Sequence, residues 1–304
     1  MPRAASLDEG RQLARVGLAQ LGASVILLSS AWPLTKIALA SGSTPMWFAE
    51  GRAGISGATL ATILALRGRL HLPRRDDLAA VLAIGVCQLG LYFAMAHAAL
   101  AWVAAGRTAI LANATTIWVV PLSLIVLREP IPPRRWIAAG LGLAGIAILI
   151  GPWAIDWTSR NVLIGHCFLL GASLSWAVAI IVTRAATPRS TTFELLPWCF
   201  AVSVVMMAPL IVWDPPHGGI GAHATSWASL AYIGLVAGPF GTWAVIEATA
   251  NLPAVVASVG FLTTPAVSLL LAGLILGERI TADLLAGSAL IIFGAGFATW
   301  PTRS

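Results

Sequence analysis

Residues 78–127 and 226–277 are two nearly uninterrupted apolar runs of about fifty residues each. Wound into a single α-helix, either run would extend about 75 Å, against a bilayer hydrocarbon core of about 30 Å. Each run must therefore fold back on itself as two helices joined almost without a loop. In the second run the break falls at Asn251-Leu252-Pro253, where proline stops the preceding helix. In the first it falls near His97–Leu100.

The composition agrees with a chain built for lipid. Apolar residues make up 58% of the sequence and charged residues 10%, where a soluble chain carries about 25% charged residues. A helix needs about 20 apolar residues to cross a bilayer. Ten segments meet that length, roughly 16–40, 45–66, 78–97, 100–127, 136–153, 162–183, 192–213, 226–249, 253–277 and 283–300. They lack the apolar/polar alternation of membrane-barrel strands. Arg3, Arg11 and Arg15 precede a first apolar run, Val16 to Ala40. That run exceeds the roughly 7–15 residues of a signal-peptide core and reads as an uncleaved helix. Cys87, Cys167 and Cys199 stand alone in apolar stretches, so neither a metal site nor a disulfide framework is expected, and no cofactor.

The chain also repeats itself. Leu127-Arg128-Glu129-Pro130-Ile131 is followed by Gly145, and Leu276-Gly277-Glu278-Arg279-Ile280 by Gly294. Each glycine lies 16 residues after its glutamate, and the two copies are 149 residues apart. With the N-terminus inside, thirteen arginines fall in inner loops or at the two ends, among them Arg67, Arg69, Arg74, Arg75, Arg134, Arg135, Arg184 and Arg189. Arg160 and Arg279 fall in outer loops. The positive-inside rule then places both termini in the cytoplasm. The net charge of +6 reads as contact with anionic lipid headgroups, with no nucleic-acid partner.

Five helices per half is an odd number, so the second half enters the membrane from the opposite face. The expected fold class is an all-α integral membrane protein of the cell inner membrane, with ten transmembrane helices as two inverted five-helix repeats. The repeats would span 16–153 and 162–300, after a cytoplasmic segment 1–15. This is the architecture of alternating-access transporters.

Specific motifs add a resemblance. Ala105-Gly106-Arg107-Thr108-Ala109-Ile110-Leu111-Ala112-Asn113 precedes Pro121 and the Glu129 pattern. Ala257-Ser258-Val259-Gly260-Phe261-Leu262-Thr263-Thr264-Pro265 precedes the Glu278 pattern. Trp32-Pro33-Leu34-Thr35-Lys36, Pro45 with Arg52, and Ser175-Trp176-Ala177 complete the set. Over about residues 16–300 the chain resembles the EamA-type branch of the drug/metabolite transporter superfamily. It departs from the pattern at Ser29-Ser30, where that family often has Trp-Gly, and at Thr116, where the second half has Pro265. The resemblance implies transport of small metabolites, such as amino acids or nucleobases, across the inner membrane.

Candidate binding residues follow from position. Trp32, Tyr92, Trp118, Trp176 and Trp243 lie well inside helices, although membrane tryptophans favour the interface. With Asn113 and Thr264 they suit a cavity of apolar walls and few polar anchors, and each also suits plain packing. Lys36, the single lysine, lies near the outer end of the first helix. It reads either as snorkelling to the headgroups or as a cavity charge for a substrate carboxylate. Glu50, Arg52, His97 and Arg107 share the outer part of the membrane with it, as a gate or as an ion-pair network. Glu129 and Glu278, at helix ends by opposite faces, read as corner residues holding the helix turns.

Other classes fit less well. The sequence contains no His-Glu-x-x-His pattern, no Gly-x-Ser-x-Gly elbow and no P-loop, which argues against a zinc protease, a serine hydrolase and an ATP-driven pump. A channel-like facilitator or uniporter of small solutes is the alternative to an alternating-access exporter. A small-molecule substrate and membrane lipid are the expected partners, and both a monomer and a dimer fit the sequence.

Overall fold

The computed structural model describes residues 7–99, 102–103, 105–150, 158–186, 188–212, 218–276 and 282–299. Every regular element among the described residues is helical. In the first half these are α1 (Leu7–Ala40), α2 (Pro45–Leu66), α3 (Leu78–Leu82), α4 (Tyr92–Ala99), α5 (Ala105–Ala112), α6 (Thr116–Leu122) and α7 (Pro133–Ile150). In the second they are α8 (Arg160–Ala185), α9 (Thr192–Val212), α10 (Ala224–Tyr232), α11 (Gly238–Asn251), α12 (Ala254–Phe261), α13 (Thr263–Leu276) and α14 (Ala282–Thr299). Wider π-helical stretches at 83–91, 123–127 and 233–237 join α3 to α4, extend α6 and join α10 to α11.

Among the described residues, seven helical stretches are long and apolar enough to cross a bilayer: Gln12–Ala40, Arg75–Ala99, Ile110–Leu127, Arg160–Ala185, Thr192–Ile211, Ala224–Asn251 and Ala254–Ile275. The chain is therefore a multi-pass membrane protein. The α2 helix is long enough, but Glu50 and Arg52 lower its hydropathy. The two long apolar runs break where chain length requires. One helix ends at Ala99, and α5 starts at Ala105. The α11 helix ends at Asn251, and Pro253 caps α12 with φ −55°. Gly238-Pro239 does not interrupt its helix. The chain widens into the π-stretch 233–237 just before it, which accommodates the missing proline N–H.

Two smaller breaks matter more. The α5 helix stops at Ala112 and α6 resumes at Thr116, while α12 stops at Phe261 and α13 resumes at Thr263. Asn113 and Leu262, which open these breaks, are 149 residues apart, the same offset as the two glutamates.

The halves are interleaved. Helix α1 packs along α11 and α13, α2 along α9, and α8 against α4 and α6. The closest partnership joins α7 to α14 through glycine. A Cβ on Gly145 would lie 2.6 Å from the Gly287 carbonyl oxygen and 2.7 Å from Ile291. A Cβ on Gly294 would lie 2.9 Å from the Ala138 carbonyl oxygen and 3.2 Å from the Gly142 nitrogen. The start of α7 thus meets the end of α14, so the two run antiparallel. The two glycines marked by the sequence repeat sit in this one interface, and only a hydrogen there lets the backbones meet.

Glu129 holds a corner. Arg128 takes a left-handed φ of 52° as the π-stretch 123–127 ends. The Glu129 carboxylate beyond it pairs with Arg184 at the end of α8 and accepts the Ala254 N–H at 3.3 Å. Arg184 also donates to the carbonyls of Thr249 and Leu252. Its counterpart Glu278 lies outside the described residues. A second tie on the same side was not legible in the sequence. The fully buried Asp77 carboxylate accepts the N–H of Arg189 at 2.8 Å and both the N–H and hydroxyl of Ser190, at 3.1 and 2.8 Å.

Replacing Gly145 by Val inserts a branched side chain against backbone and should destabilise the fold by about 1–3 kcal/mol. A Cβ on Gly140 would meet nothing within 4 Å, so Gly140→Ala should leave stability unchanged or slightly raised. Thermal unfolding of the detergent-purified variants checks this; equal midpoints would remove the close α7–α14 contact.

Candidate functional site

The two helix breaks converge on one pocket in the middle of the bundle. Trp32 and its neighbours Leu28 and Ala31 reach it from α1, and Arg52 from α2. Tyr92 and Phe93 come from α4, Asn113 from the first break, Trp176 from α8, and Phe261 and Thr264 from either side of the second break. The space in it that a water-sized sphere can occupy is about 30 Å³, so in this conformation the side chains nearly fill the pocket.

Aromatic rings build the walls. Trp176 lies edge-to-face with Tyr92 at 4.7 Å between centroids and stacks on Phe261 at 5.6 Å with planes 16° apart. Tyr92 meets Phe93 edge-on at 5.3 Å. The Arg52 guanidinium carbon sits 4.5 Å from the centroid of the Phe93 ring, a cation–π contact. His97, one turn on from Phe93, is buried and donates its Nδ1–H to the Phe93 carbonyl at 2.7 Å.

Helix α1 is tied to α13 just past the second break. Ser29 donates its hydroxyl to the Thr264 carbonyl at 2.9 Å, and Ser268 donates back to the Ser29 carbonyl at 2.9 Å. Other polar atoms here have no protein partner. The indole nitrogen of Trp176 and the hydroxyl oxygens of Thr264, Thr115 and Thr116 are buried without a hydrogen bond. Such groups cost about 1–3 kcal/mol each unless a ligand or water meets them.

The structure brings together Trp32, Tyr92, Asn113, Trp176 and Thr264 from the expected binding set, with Arg52 from the expected gate set. Phe93, Phe261, Leu28 and Ala31 were not singled out by the sequence, because apolar residues inside apolar helices carry no distinguishing mark. Three expected residues lie elsewhere. Trp118 donates to the Ser173 hydroxyl at 2.9 Å and packs into the core. Trp243 packs edge-on to Phe193 and lines a second cavity of about 430 Å³ with Arg67, Arg69, Glu194 and Glu247. Lys36 is exposed and does not line the central pocket. The inward position of that turn belongs to buried Thr35, and Lys36 stands about 100° round the helix from it.

Of the other charged candidates, His97 joins Arg52 across Phe93. Glu50 is about 200° round α2 from Arg52; it does not line the pocket, and its Oε2 is buried without a hydrogen-bond partner. The side chain of Arg107 lies outside the described residues. Glu247, inside a span and beside Trp243, is a carboxylate that no sequence motif marks. A groove of about 390 Å³ between α2 and α9 is walled by apolar residues such as Ala58 and Val204 and has no anchoring charge among the described residues.

Comparison with known proteins gives a consistent picture. Residues 16–151 and 163–300 each match the EamA-like transporter family. The chain is 27% identical to an uncharacterized transporter of Bacillus subtilis (strain 168), over 88% of this chain and 86% of that one. It is 24% identical to a probable terminal-alkyne amino-acid exporter of Streptantibioticus cattleyicolor, over 89% of both chains. One solved crystal structure superposes with a TM-score of 0.75, covering 95% of this chain and 96% of the other at 17% identity, a likeness of fold.

Trp176→Phe keeps a six-membered ring beside Phe261 but removes the rest of the indole, the unpartnered N–H with it. Loss of buried ring volume destabilises and loss of an unpartnered buried donor offsets that by about 1–3 kcal/mol, so the folded protein should lose no more than about 2 kcal/mol. Its thermal midpoint in detergent checks this, and a larger loss would mean that the indole nitrogen is bonded in the resting protein.

Proposed function

The chain belongs to the EamA-like transporter family, and from that premise we propose that it is a secondary transporter, exporting small metabolites such as amino acids by alternating access. The family and its relatives are transporters rather than enzymes. The observation that carries the proposal is the meeting of two short helix interruptions, 149 residues apart, at one aromatic pocket. Discontinuous helices near the bilayer midplane expose backbone and polar groups to a solute while the bundle shields them from lipid.

In this reading all ten helical segments cross the inner membrane, including α2, α7 and α14. They form two inverted repeats over residues 16–153 and 162–300, with both termini in the cytoplasm. The 149-residue offset of the breaks supports the duplication. The inversion is supported by the antiparallel α7–α14 contact. Gly145 meets Gly287 and Ile291, and 149 residues on, Gly294 meets Ala138 and Gly142, the counterparts of those two. A two-fold axis across the helices produces such reciprocal contacts.

Export is favoured by the name of one relative, an amino-acid exporter. The ties at Glu129 and Asp77 cross between the halves and would close the cytoplasmic side, to be broken when the pocket opens inward. The free space in the pocket, about 30 Å³, leaves no room for a continuous channel through it, which favours alternating access.

Reconstituted vesicles loaded in turn with labelled amino acids, nucleobases and organic cations should show saturable counterflow for at least one solute. Flux that rises linearly with concentration, without exchange, would replace the transporter by a facilitating channel. No protein-dependent flux of any solute would overturn both.

A further inference from the structure

Resting on the transporter reading, we propose that Arg52 is a carboxylate anchor and that the cargo is an organic monocarboxylate with an aromatic or bulky apolar body. Among the described residues that line the central pocket, Arg52 carries the single charge. It makes no ion pair among the described residues and instead lies over the Phe93 ring at 4.5 Å. An arginine kept among aromatic rings inside a membrane is costly and is normally matched by a carboxylate or carbonyl. Here the protein supplies an aromatic face, which is a weaker partner than an anion. The guanidinium is thereby oriented and left able to bind a carboxylate through two parallel N–H donors.

The other polar groups in the pocket match the same ligand. The Trp176 Nε1–H can only donate, and the Thr264 hydroxyl can donate; both are buried without a partner. An acceptor-rich group would meet both. The rings of Trp32, Tyr92 and Phe261 suit an aromatic or branched body. No Asp or Glu is among the described residues that line this pocket. A ligand ammonium would therefore find ring faces but no counter-ion, so the α-ammonium of an amino acid adds little to binding.

The test is binding to the detergent-purified protein, by titration calorimetry, of four compounds sharing one phenylpropyl skeleton. They are 3-phenylpropanoate, 3-phenylpropanamide, 3-phenylpropylamine and phenylalanine. The propanoate should bind at least about 10-fold more tightly than the amide or the amine, the worth of about 1.4 kcal/mol for a charge-assisted pair. It should bind at least as tightly as phenylalanine. Arg52→Gln should bring the propanoate down to the level of the amide while the amide itself is unchanged. Arg52→Lys should fall between, since lysine keeps the charge without the fork.

An amide or amine that matches the propanoate would overturn the proposal. So would phenylalanine binding 10-fold more tightly than it, or a propanoate preference that survives in Arg52→Gln. If Arg52→Gln does not fold, the four-compound ranking on the parent protein decides alone. The transporter reading is separable. Counterflow of other solutes with no propanoate binding sinks the anchor and keeps the transporter. Tight propanoate binding without counterflow of any solute keeps the anchor and sinks the transporter.

Discussion

The hydrogen bond from Ser29 to the Thr264 carbonyl ties together two of the helices on which this architecture rests. Inside a bilayer no water reaches the backbone, so polar groups there must find partners in the protein. Just past the interruption at Leu262, α1 lies against α13, where Ser29 meets the Thr264 carbonyl and Ser268 returns the bond. The same α1 packs along α11. The pocket forms where these commitments leave space. A helix bundle without breaks would be simpler to fold, but it would offer a solute only side chains.

Close packing of small residues supplies the rest. In lipid there is no hydrophobic force to bring apolar helices together, so association depends on van der Waals contact and on how near two backbones can come. Gly145, Gly287 and Gly294 let α7 and α14 touch backbone to backbone. The same device recurs at Gly85, whose absent Cβ would lie 2.8 Å from the Cys199 carbonyl oxygen, and at Gly234, 2.6 Å from Ile55. These positions join a helix of one half to a helix of the other. The interface between the halves is therefore steric and smooth in its middle and ionic at one end, where Glu129 and Asp77 make their ties. Breaking a few ionic ties while sliding apolar surfaces is a modest change in free energy, which suits the proposed alternation.

Much of this was legible in the sequence, for reasons that can be named. Helix length against bilayer thickness dictated the folding back of residues 78–127 and 226–277, and proline located one of the two turns. The repeated glycines declared themselves by their spacing. Tryptophan inside a helix is out of its usual place, which is why Trp32 and Trp176 could be picked out. The same signal also picked Trp118, whose N–H is satisfied by Ser173, and Trp243, which serves a different cavity. Position along a helix was readable, but azimuth was not. Lys36 and Glu50 sit at depths that suit a binding site and point away from it, because turn-by-turn phase is set by neighbouring helices that one sequence does not reveal. Asp77 escaped for a related reason: its partners Arg189 and Ser190 are more than a hundred residues away.

The duplication also shows what the site cannot inherit from symmetry. Shifting by 149 residues takes Arg52 to Ala201, Tyr92 to Gly241 and Trp32 to Ile181, while Trp176 corresponds to Leu27. The scaffold features come in pairs: the breaks and the close glycines. The cation and the large rings come singly. In the proposed transport cycle the two related halves would trade shapes, and pairing favours that, since each shape one half adopts is already accessible to the other. A small organic solute has no two-fold axis, so a symmetric site would hold it equally in two poses and orient neither. Placing the cation and the large rings on one partner of each pair, opposite alanine, glycine or aliphatic residues on the other, gives the pocket a polar end and an apolar body. The asymmetry of the side chains is thus the part of this protein that carries information about cargo, and the symmetric fold beneath it is the part that carries information about motion.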